Sequence, residues 1–412
     1  MKQFFVLVFL MLPLLRAAAQ QSAPSLTQLL SYAGLYRMEG GGNVIISVRT
    51  VGQQRVLLLT DLRNDNIRGL FPAGADNFVA GKELLSPEPV EYNIRFERTA
   101  EGDVVKIKVQ QTGPEMVGEK KSIEKLPIEF SNGEVTLKGD LYLPNSNAKY
   151  GTVILVAGSE DDGDRYSFDA LLFALVEEGL AVLTYDKRGT GLSTGSWQSS
   201  GLDDLAGDLL AALEVLLKRN DIEKDNIGLI GTSEGGWVAP LAASRSDKIA
   251  YIVNISGGAF TKGYSFLHKY RVRFIEQGLQ GPQLEEAMAE KVGIVAAGKQ
   301  RVETGASPTG FDRRISYDPL QDWKKFRKPV LYLVGDCDSL EPAKESAARF
   351  RQIFGDSHHP DFTIQVFPQA HHMMFLANTC KPSEFERMQG IGKFVPGYWD
   401  LLLSWIRSRS RS

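Results

Sequence analysis

The stretch NIGLIGTSEGGWVAP at residues 226–240 decides the fold. An apolar run leads into a G-x-S-x-G pattern, with Ser233 between Gly231 and Gly235, and a helical run follows. A side chain at either glycine would clash on a strained strand-to-helix turn, so the glycines frame a serine held on such a turn. A serine that only packs or caps a helix needs no such frame, so Ser233 is predicted to be a nucleophile.

Apolar segments alternate with amphipathic segments on both sides of this stretch. The apolar segments are GTVILVAG (151–158), AVLTYDKRG (181–189), IAYIVNISGG (249–258) and KPVLYLVGD (328–336). Near-continuous apolar strands that alternate with helices predict an α/β fold, in which a mostly parallel sheet is covered by helices on both faces. Ligands bind beyond the carboxyl ends of the strands in such sheets, which is where Ser233 would lie.

Two regions depart from this alternation. Residues 25–118 contain short segments rich in Val, Ile and Phe, punctuated by Gly, Asn and Asp, which predicts a small all-β accessory domain with residues 111–127 as its exit and linker. Residues 262–316 predict two or three helices and no strand, inserted between the fifth and sixth parallel strands. We interpret this insertion as a cap over the site; the alternative is a helical elaboration packed at the side.

Composition and the N-terminus bound the class of protein. The chain has 412 residues, of which 43% are hydrophobic and 24% charged, which is ordinary for a globular protein of two or three domains. Its net charge of −3 does not favour nucleic acid as a partner. Lys2, an apolar run over 4–15 and the small residues Ala17 and Ala19 predict a secretory signal peptide over residues 1–19. The protein is therefore expected to be exported, to the periplasm or beyond, without a stable membrane span; an uncleaved N-terminal anchor is the alternative.

A serine nucleophile needs a histidine base and a carboxylate that orients it, in the chain order Ser, acid, His for this topology. The acid candidates are Asp336 and Asp338, which follow an apolar strand, and the base candidates are His371 and His372 in the loop after the last predicted strand. The chain has only five histidines, so two in the loop where a base is required support the assignment.

With these residues in place, the sequence resembles the α/β-hydrolase superfamily, and more narrowly its bacterial G-x-S-E-G-G branch of serine aminopeptidase-like and esterase-like members. The resemblance covers residues 122–408 and rests on four motifs: DKRGTGLS (186–193), GTSEGG (231–236), LVGDCDSLEP (333–342) and PQAHH (368–372). It implies that Asp338 is the acid, because Gly335, Asp338 and Pro342 match the spacing of the family's acid loop. It also implies that His372 is the base, with His371 in the position of a neighbouring polar residue.

The oxyanion hole is predicted to use the backbone N–H of Glu234, the residue after the nucleophile. The resemblance implies a second N–H from Ser159, in a loop that carries Ala157-Gly158 where the family commonly has His-Gly. Glu234 also begins a helix, where it interacts favourably with the helix dipole. For Arg188 in DKRGTGLS, an internal brace in which Asp186 and Arg188 form buried hydrogen bonds is favoured over contact with substrate.

The chain has two cysteines: Cys337 adjoins the predicted acid, and Cys380 follows the predicted base. In an exported protein they can pair and tie the acid loop to the histidine loop; the alternative is two reduced, buried thiols.

The sequence thus predicts an exported serine hydrolase that cleaves carboxylic esters through an acyl-enzyme, with no metal or organic cofactor. One alternative is an aminopeptidase-like enzyme for short peptides, whose acidic pocket would be formed by Glu160, Asp161, Asp162 and Asp164. A second alternative is a non-catalytic protein whose β domain binds a cell-surface polymer.

Overall fold

The computed structural model describes residues 24–51, 54–145, 149–159, 163–168 and 170–410. The predicted signal peptide and the acidic residues Glu160, Asp161 and Asp162 lie outside the described residues. Within them, none of the helices is both long and apolar enough to cross a lipid bilayer.

The N-terminal part is a closed barrel of eight described strands, each hydrogen-bonded to the next, with the last paired to the first. The strands are β1 (Gly34–Met38), β2 (Asn43–Val51), β3 (Gln54–Asp61), β4 (Asn66–Gly74), β5 (Asn77–Ala80), β6 (Tyr92–Arg98), β7 (Val104–Gln110) and β8 (Met116–Lys120). Alternate residues such as Tyr36, Ile46 and Phe96 pack inside the barrel, as expected for strands with one buried face. Helix α1 (Leu26–Tyr32), capped by Ser25, packs Leu29 and Tyr32 against the same core.

The remaining described strands form one sheet in the order β16-β15-β14-β13-β11-β12-β10-β9. Their bounds are β9 (Glu124–Asn132), β10 (Val135–Leu143), β11 (Tyr150–Val156), β12 (Ala181–Tyr185), β13 (Ile222–Thr232), β14 (Ile249–Ile255), β15 (Val330–Gly335) and β16 (Phe362–Phe367). Strands β11 to β16 run parallel, whereas β9 and β10 form an antiparallel hairpin whose turn contains Gly133 at φ 59°. We refer to residues 124–410 as the α/β domain.

The segment 111–127, predicted as a linker, contains the end of the barrel and the start of the sheet. Residues 116–120 form β8, which closes the barrel by pairing with β1, and residues from Glu124 onward form β9, the partner of β10. The linker prediction was wrong for two reasons. The partner of β8 is β1, which is distant in sequence, and the partner of β9 is β10, which follows a turn that the polarity of residues 111–127 does not reveal.

Helices cover both faces of the sheet. They are α2 (Leu171–Glu177), α3 (Leu202–Leu217), α4 (Gly235–Ala243), α5 (Lys262–Glu276), α6 (Gly281–Thr304), α7 (Gly310–Ser316), α8 (Leu320–Lys325), α9 (Ala343–Asp356), α10 (Pro382–Glu386) and α11 (Tyr398–Ser410). Apolar side chains of α3, α4, α8 and α9 pack on one face, and those of α2 and α11 pack on the other. This is the predicted mostly parallel sheet covered on both faces.

The inserted helices are α5, α6 and α7, which lie between β14 and β15. These are the fourth and fifth parallel strands of the chain, so the predicted position between the fifth and sixth strands was wrong by one. The parallel strands before the insertion are β11, β12, β13 and β14, and β15 and β16 follow it.

The barrel packs directly on the α/β domain. Outward-facing Leu35, Ile45 and Leu58 of the barrel belong to the same buried cluster as Phe394 and Trp399. Backbone hydrogen bonds cross the contact: the Phe394 N–H donates to the Asp65 carbonyl at 2.8 Å, and the Leu84 N–H donates to Ile391 at 2.6 Å. Arg55 pairs with Asp164 at 2.7 Å. The barrel therefore supports the segment 374–399, which follows the last strand of the sheet.

Candidate active site

Ser233 lies on the sharp turn between β13 and α4. Its φ of 50° falls in the left-handed region, which a residue with a side chain adopts only under constraint. The constraint comes from close packing, because a Cβ at Gly231 would lie 2.3 Å from the Gly235 carbonyl oxygen and one at Gly235 would lie 2.2 Å from that of Val156. The glycine frame in the sequence is thus required by backbone approach on both sides of Ser233.

Asp338 lies in the loop after β15, with its side chain buried. One carboxylate oxygen, Oδ1, accepts the backbone N–H groups of Leu340 at 2.8 Å and Glu341 at 2.9 Å. The other, Oδ2, lies 2.7 Å from His372 Nδ1. The competing candidate Asp336 is exposed and accepts the Gln369 N–H at 2.7 Å. Of the two acid candidates, Asp338 is therefore the one that contacts the ring of a candidate base, His372.

His372 follows β16 and is held from two sides. Its Nδ1 faces Asp338, and its backbone carbonyl accepts the Ser256 hydroxyl at 2.7 Å. The neighbouring His371 is fully buried and points elsewhere, with Nδ1 3.3 Å from the Cys337 carbonyl and Nε2 3.6 Å from Glu384. A carboxylate on Nδ1 orients the ring so that Nε2 is left for proton transfer.

The acid loop and the histidine loop are joined covalently. Cys337 and Cys380 form a disulfide, and the Cys337 N–H donates to the Ala370 carbonyl at 3.0 Å. Gly335 is needed at this contact, because a Cβ there would lie 2.1 Å from the Ala370 carbonyl oxygen. The bond closes a sequence separation of 43 residues, for which the chain-entropy relation gives about 4 kcal/mol of stabilisation.

Ser233 and His372 line a cavity with two lobes. The apolar lobe measures about 50 Å³ and is lined by Phe168, Leu171, Phe375, Phe394 and Trp399 among others. The charged lobe measures about 300 Å³, lies beside α5 and α7, and includes Ser159 and Glu234, the residues of the predicted oxyanion hole. The four predicted residues Ser159, Ser233, Glu234 and His372 therefore border one space, and Asp338 lies behind His372.

The charged lobe contains residues that the sequence interpretation missed. They are Lys262 and Lys269 on α5, Arg314 on α7, and Glu341 after the acid loop. Glu234 is fully buried and pairs with Lys262 at 2.7 Å and with Arg314 at 3.6 Å. Burial alone would raise its pKa, but the positive charges of Lys262 and Lys187 lower the pKa below its usual value. No local signal marked these residues, because the insertion brings them to Ser233 only through tertiary packing.

Glu341 is the second buried carboxylate in the charged lobe. It accepts the Ser265 hydroxyl of α5 at 2.5 Å and the Ser346 hydroxyl of α9. Burial raises the pKa of Glu341 to about 7. Its backbone N–H donates to Asp338, so one residue links the inserted helices to the acid loop.

The motif DKRGTGLS forms the predicted internal brace. Arg188 is buried and pairs with Asp208 at 2.6 Å, whereas Asp186 pairs with Arg165 at 2.7 Å. Both residues thus form buried hydrogen bonds, as predicted, and their partners lie on different elements. Gly191 is required here, since a Cβ would lie 2.4 Å from the Asp186 carboxylate.

Residues 153–382 match the model of the alpha/beta hydrolase family. The chain belongs to the alpha/beta hydrolase family. This confirms the predicted superfamily and fold, and the matched range includes Ser233, Asp338 and His372.

Two relatives and one solved structure are similar to this chain. The chain is 22% identical over 306 residues to the quorum-quenching protein AidA of Acinetobacter baumannii, covering 66% of this chain and 95% of the relative. It is 24% identical over 212 residues to the bifunctional esterase/perhydrolase DCH of Acinetobacter calcoaceticus, covering 45% and 74%. An esterase structure from Pyrococcus furiosus matches with a TM-score of 0.48 at 20% identity, covering 70% of this chain and 92% of that one.

Over the described part of the chain, no three His, Cys, Asp or Glu side chains are gathered in a way that could hold a metal ion. The site offers a strained serine, a histidine oriented by a carboxylate, and backbone N–H groups at a helix start, which together suit attack on a carbonyl group.

Proposed function

We propose that this hydrolase is an exported serine esterase that cleaves carboxylic esters through Ser233, His372 and Asp338. The observation that carries the proposal is the 2.7 Å contact between His372 Nδ1 and the buried Asp338, in a histidine that borders the same cavity as the strained Ser233. The ester is favoured as substrate because a relative, DCH, is named an esterase.

In the proposed mechanism, Ser233 Oγ attacks the ester carbonyl carbon while His372 accepts the hydroxyl proton. The backbone N–H groups of Glu234 and Ser159 stabilise the oxyanion. Collapse of the tetrahedral intermediate breaks the bond to the alcohol oxygen, which takes the proton from His372, and leaves an acyl-serine. Water, deprotonated by His372, repeats the sequence and releases the carboxylic acid. Asp338 keeps the imidazole oriented throughout and stabilises its protonated form.

Export is part of the proposal. It is supported by the signal pattern at residues 1–19 and by the Cys337–Cys380 disulfide, a bond that persists mainly in oxidising compartments.

The peptidase alternative is less well supported. A free amino terminus would need an acidic pocket, but Asp164 is engaged by Arg55 and the charged lobe holds three cations, Lys262, Lys269 and Arg314. The polymer-binding alternative is also weakened, because the barrel interior is filled by its own side chains and one outer face is buried against the hydrolase domain.

The test is hydrolysis of p-nitrophenyl esters from acetate to octanoate, beside several aminoacyl p-nitroanilides, by wild type, Ser233→Ala and Ser244→Ala. Ser244 ends α4 and bonds only its own helix among the described contacts, so its variant is the matched control. We expect ester turnover in wild type and in Ser244→Ala, and loss of at least about 1,000-fold in kcat for Ser233→Ala. Equal turnover by wild type and Ser233→Ala would refute the serine mechanism, and turnover confined to anilides would favour a peptidase.

A further inference from the structure

The two lobes that meet at Ser233 differ in chemistry. One is enclosed by aromatic and aliphatic side chains, and the other carries Lys262, Lys269, Arg314, Glu234 and Glu341. An ester bound with its carbonyl at Ser233 would place its acyl group towards one lobe and its alcohol group towards the other. The net charge of the second lobe therefore affects whether a charged or a neutral ester binds there.

Two of the three cations contact the same carboxylate. Lys262 and Arg314 both face the buried carboxylate of Glu234, at 2.7 and 3.6 Å. Arg314 also donates to the carbonyls of Trp197 at 2.7 Å and Ser200 at 2.6 Å. These contacts position Arg314 and place two positive charges beside the buried carboxylate of Glu234.

Lys269 is the cation without a matching carboxylate. It lies two turns after Lys262 on α5, so both side chains extend from the same face of the helix. Among the described residues, no carboxylate oxygen lies within 4.0 Å of its ammonium group. Burial lowers its pKa, and the positive charges of Arg273 and Lys262 lower it further. The negative charge of Glu386 acts on Lys269 in the opposite direction, but Glu386 is itself paired with Arg273.

Glu341 does not supply a full negative charge to offset that of Lys269 at neutral pH. Burial raises its pKa to about 7, so the carboxyl group is only partly ionised there, and both of its oxygens accept serine hydroxyls. A half-buried ammonium group without a counter-charge is costly, and an anion entering the lobe would offset that cost.

We propose that Lys269 binds a carboxylate group of the substrate, so that the preferred ester is apolar on one side of the scissile bond and negatively charged on the other. This inference rests on the proposed esterase function. A lysine ammonium suits the role, because its three donors rotate on a flexible stem and it can meet a carboxylate in several orientations.

The experiment compares esters that differ by one carboxylate. Mono-p-nitrophenyl adipate is paired with p-nitrophenyl hexanoate, which tests a charge on the acyl side. Hexanoate esters of 4-hydroxybenzoate and of phenol test a charge on the alcohol side. The enzymes are wild type, Lys269→Met, Lys269→Arg and, as a matched control, Lys299→Met on the exposed surface of α6.

We expect Lys269→Met to lower the ratio of kcat/KM for the charged over the neutral ester by about 10- to 100-fold in at least one pair, mainly through KM. Lys269→Arg retains most of the preference, and Lys299→Met matches wild type. Neutral and charged esters cleaved in the same ratio by wild type and Lys269→Met would overturn the inference while leaving the esterase function intact.

A binding measurement keeps the inference testable if no ester is turned over. Calorimetric titration of Ser233→Ala with monomethyl adipate and with methyl hexanoate should show tighter binding of the charged ester, and Lys269→Met in that background should remove the difference. Equal binding of the two esters before the lysine is replaced would also overturn the inference.

Discussion

At the scale of single residues, two aspartates that lie two positions apart differ in role: one is a structural carboxylate and the other a catalytic candidate. Asp336 and Asp338 share a loop, yet Asp336 accepts a backbone N–H at the surface and Asp338 is buried against His372. The Asp338 side chain is held by two backbone donors on one oxygen, so the other oxygen is directed at the imidazole. Such a carboxylate can determine which imidazole nitrogen carries the proton.

We therefore predict that Asp338→Asn lowers kcat for ester hydrolysis on the order of 10,000-fold with little change in KM. The asparagine amide can retain the two backbone contacts, but its NH2 group would favour the wrong imidazole tautomer. Asp336→Asn is the matched control and should keep kcat close to wild type. Steady-state kinetics of both variants decide the matter, and the reverse pattern would assign the acid to Asp336.

At the scale of elements, Glu341 joins three parts of the α/β domain. Its carboxyl group accepts from Ser265 on α5 and Ser346 on α9, and its backbone N–H donates to Asp338 on the acid loop. The inserted helices are therefore linked to the acid loop through a buried ionisable group. Its protonation state should affect how firmly these elements are held together.

The pKa of Glu341 is raised in the folded state, from 4.5 to about 7, so folding favours its protonated form. Its contribution to stability is fully present below about pH 4.5 and is lost as pH rises through 7. The loss amounts to about 3 kcal/mol, which follows from 1.36 kcal/mol for each pKa unit. We predict that Glu341→Gln, which cannot ionise, gains stability relative to wild type across this range.

The measurement is urea unfolding of wild type and Glu341→Gln at half-unit steps from pH 4.5 to 8. The difference in unfolding free energy between the two proteins reports the ionisation of Glu341, including its electrostatic coupling to Asp338 and His372. Lys299→Met serves as the control for a distant change of charge. A difference that stays constant with pH would contradict the prediction.

At the scale of the whole molecule, the barrel and the α/β domain share a buried core. Leu58 of β3 faces outward from the barrel, is fully buried, and belongs to the cluster that includes Phe375 and Phe394. Those two aromatic residues also line the apolar lobe beside Ser233. The barrel thus packs against two residues, Phe375 and Phe394, that line the candidate active site.

We predict that Leu58→Asp lowers the temperature at which ester hydrolysis is lost, because it places an unpaired charge in this shared core at a cost of several kcal/mol. Val105→Asp, on an exposed position of β7, is the matched control and should behave as wild type. Thermal inactivation and calorimetry measure the effect. If Leu58→Asp left the inactivation temperature unchanged, the barrel would be an independent module.

The sequence by itself determined the features that depend on local pattern. Alternating apolar and amphipathic segments predicted the parallel sheet and its covering helices, since burial on both faces requires near-continuous apolar strands. The spacing of Gly231, Ser233 and Gly235 predicted the strained turn, because the close contact between Gly231 and the Gly235 carbonyl lies within five residues. The strand ends then predicted which loops would meet, and the resemblance singled out Asp338 and His372 within them.

Only the tertiary structure decided contacts between distant segments. It placed β8 as the strand that closes the barrel, gave Arg188 the partner Asp208, and brought Lys262 and Lys269 beside Ser233. These features depend on how whole elements pack, and a residue's own neighbours in sequence carry no record of that packing. The charge of the cavity, and with it the substrate that we propose, is therefore a property of the assembled fold.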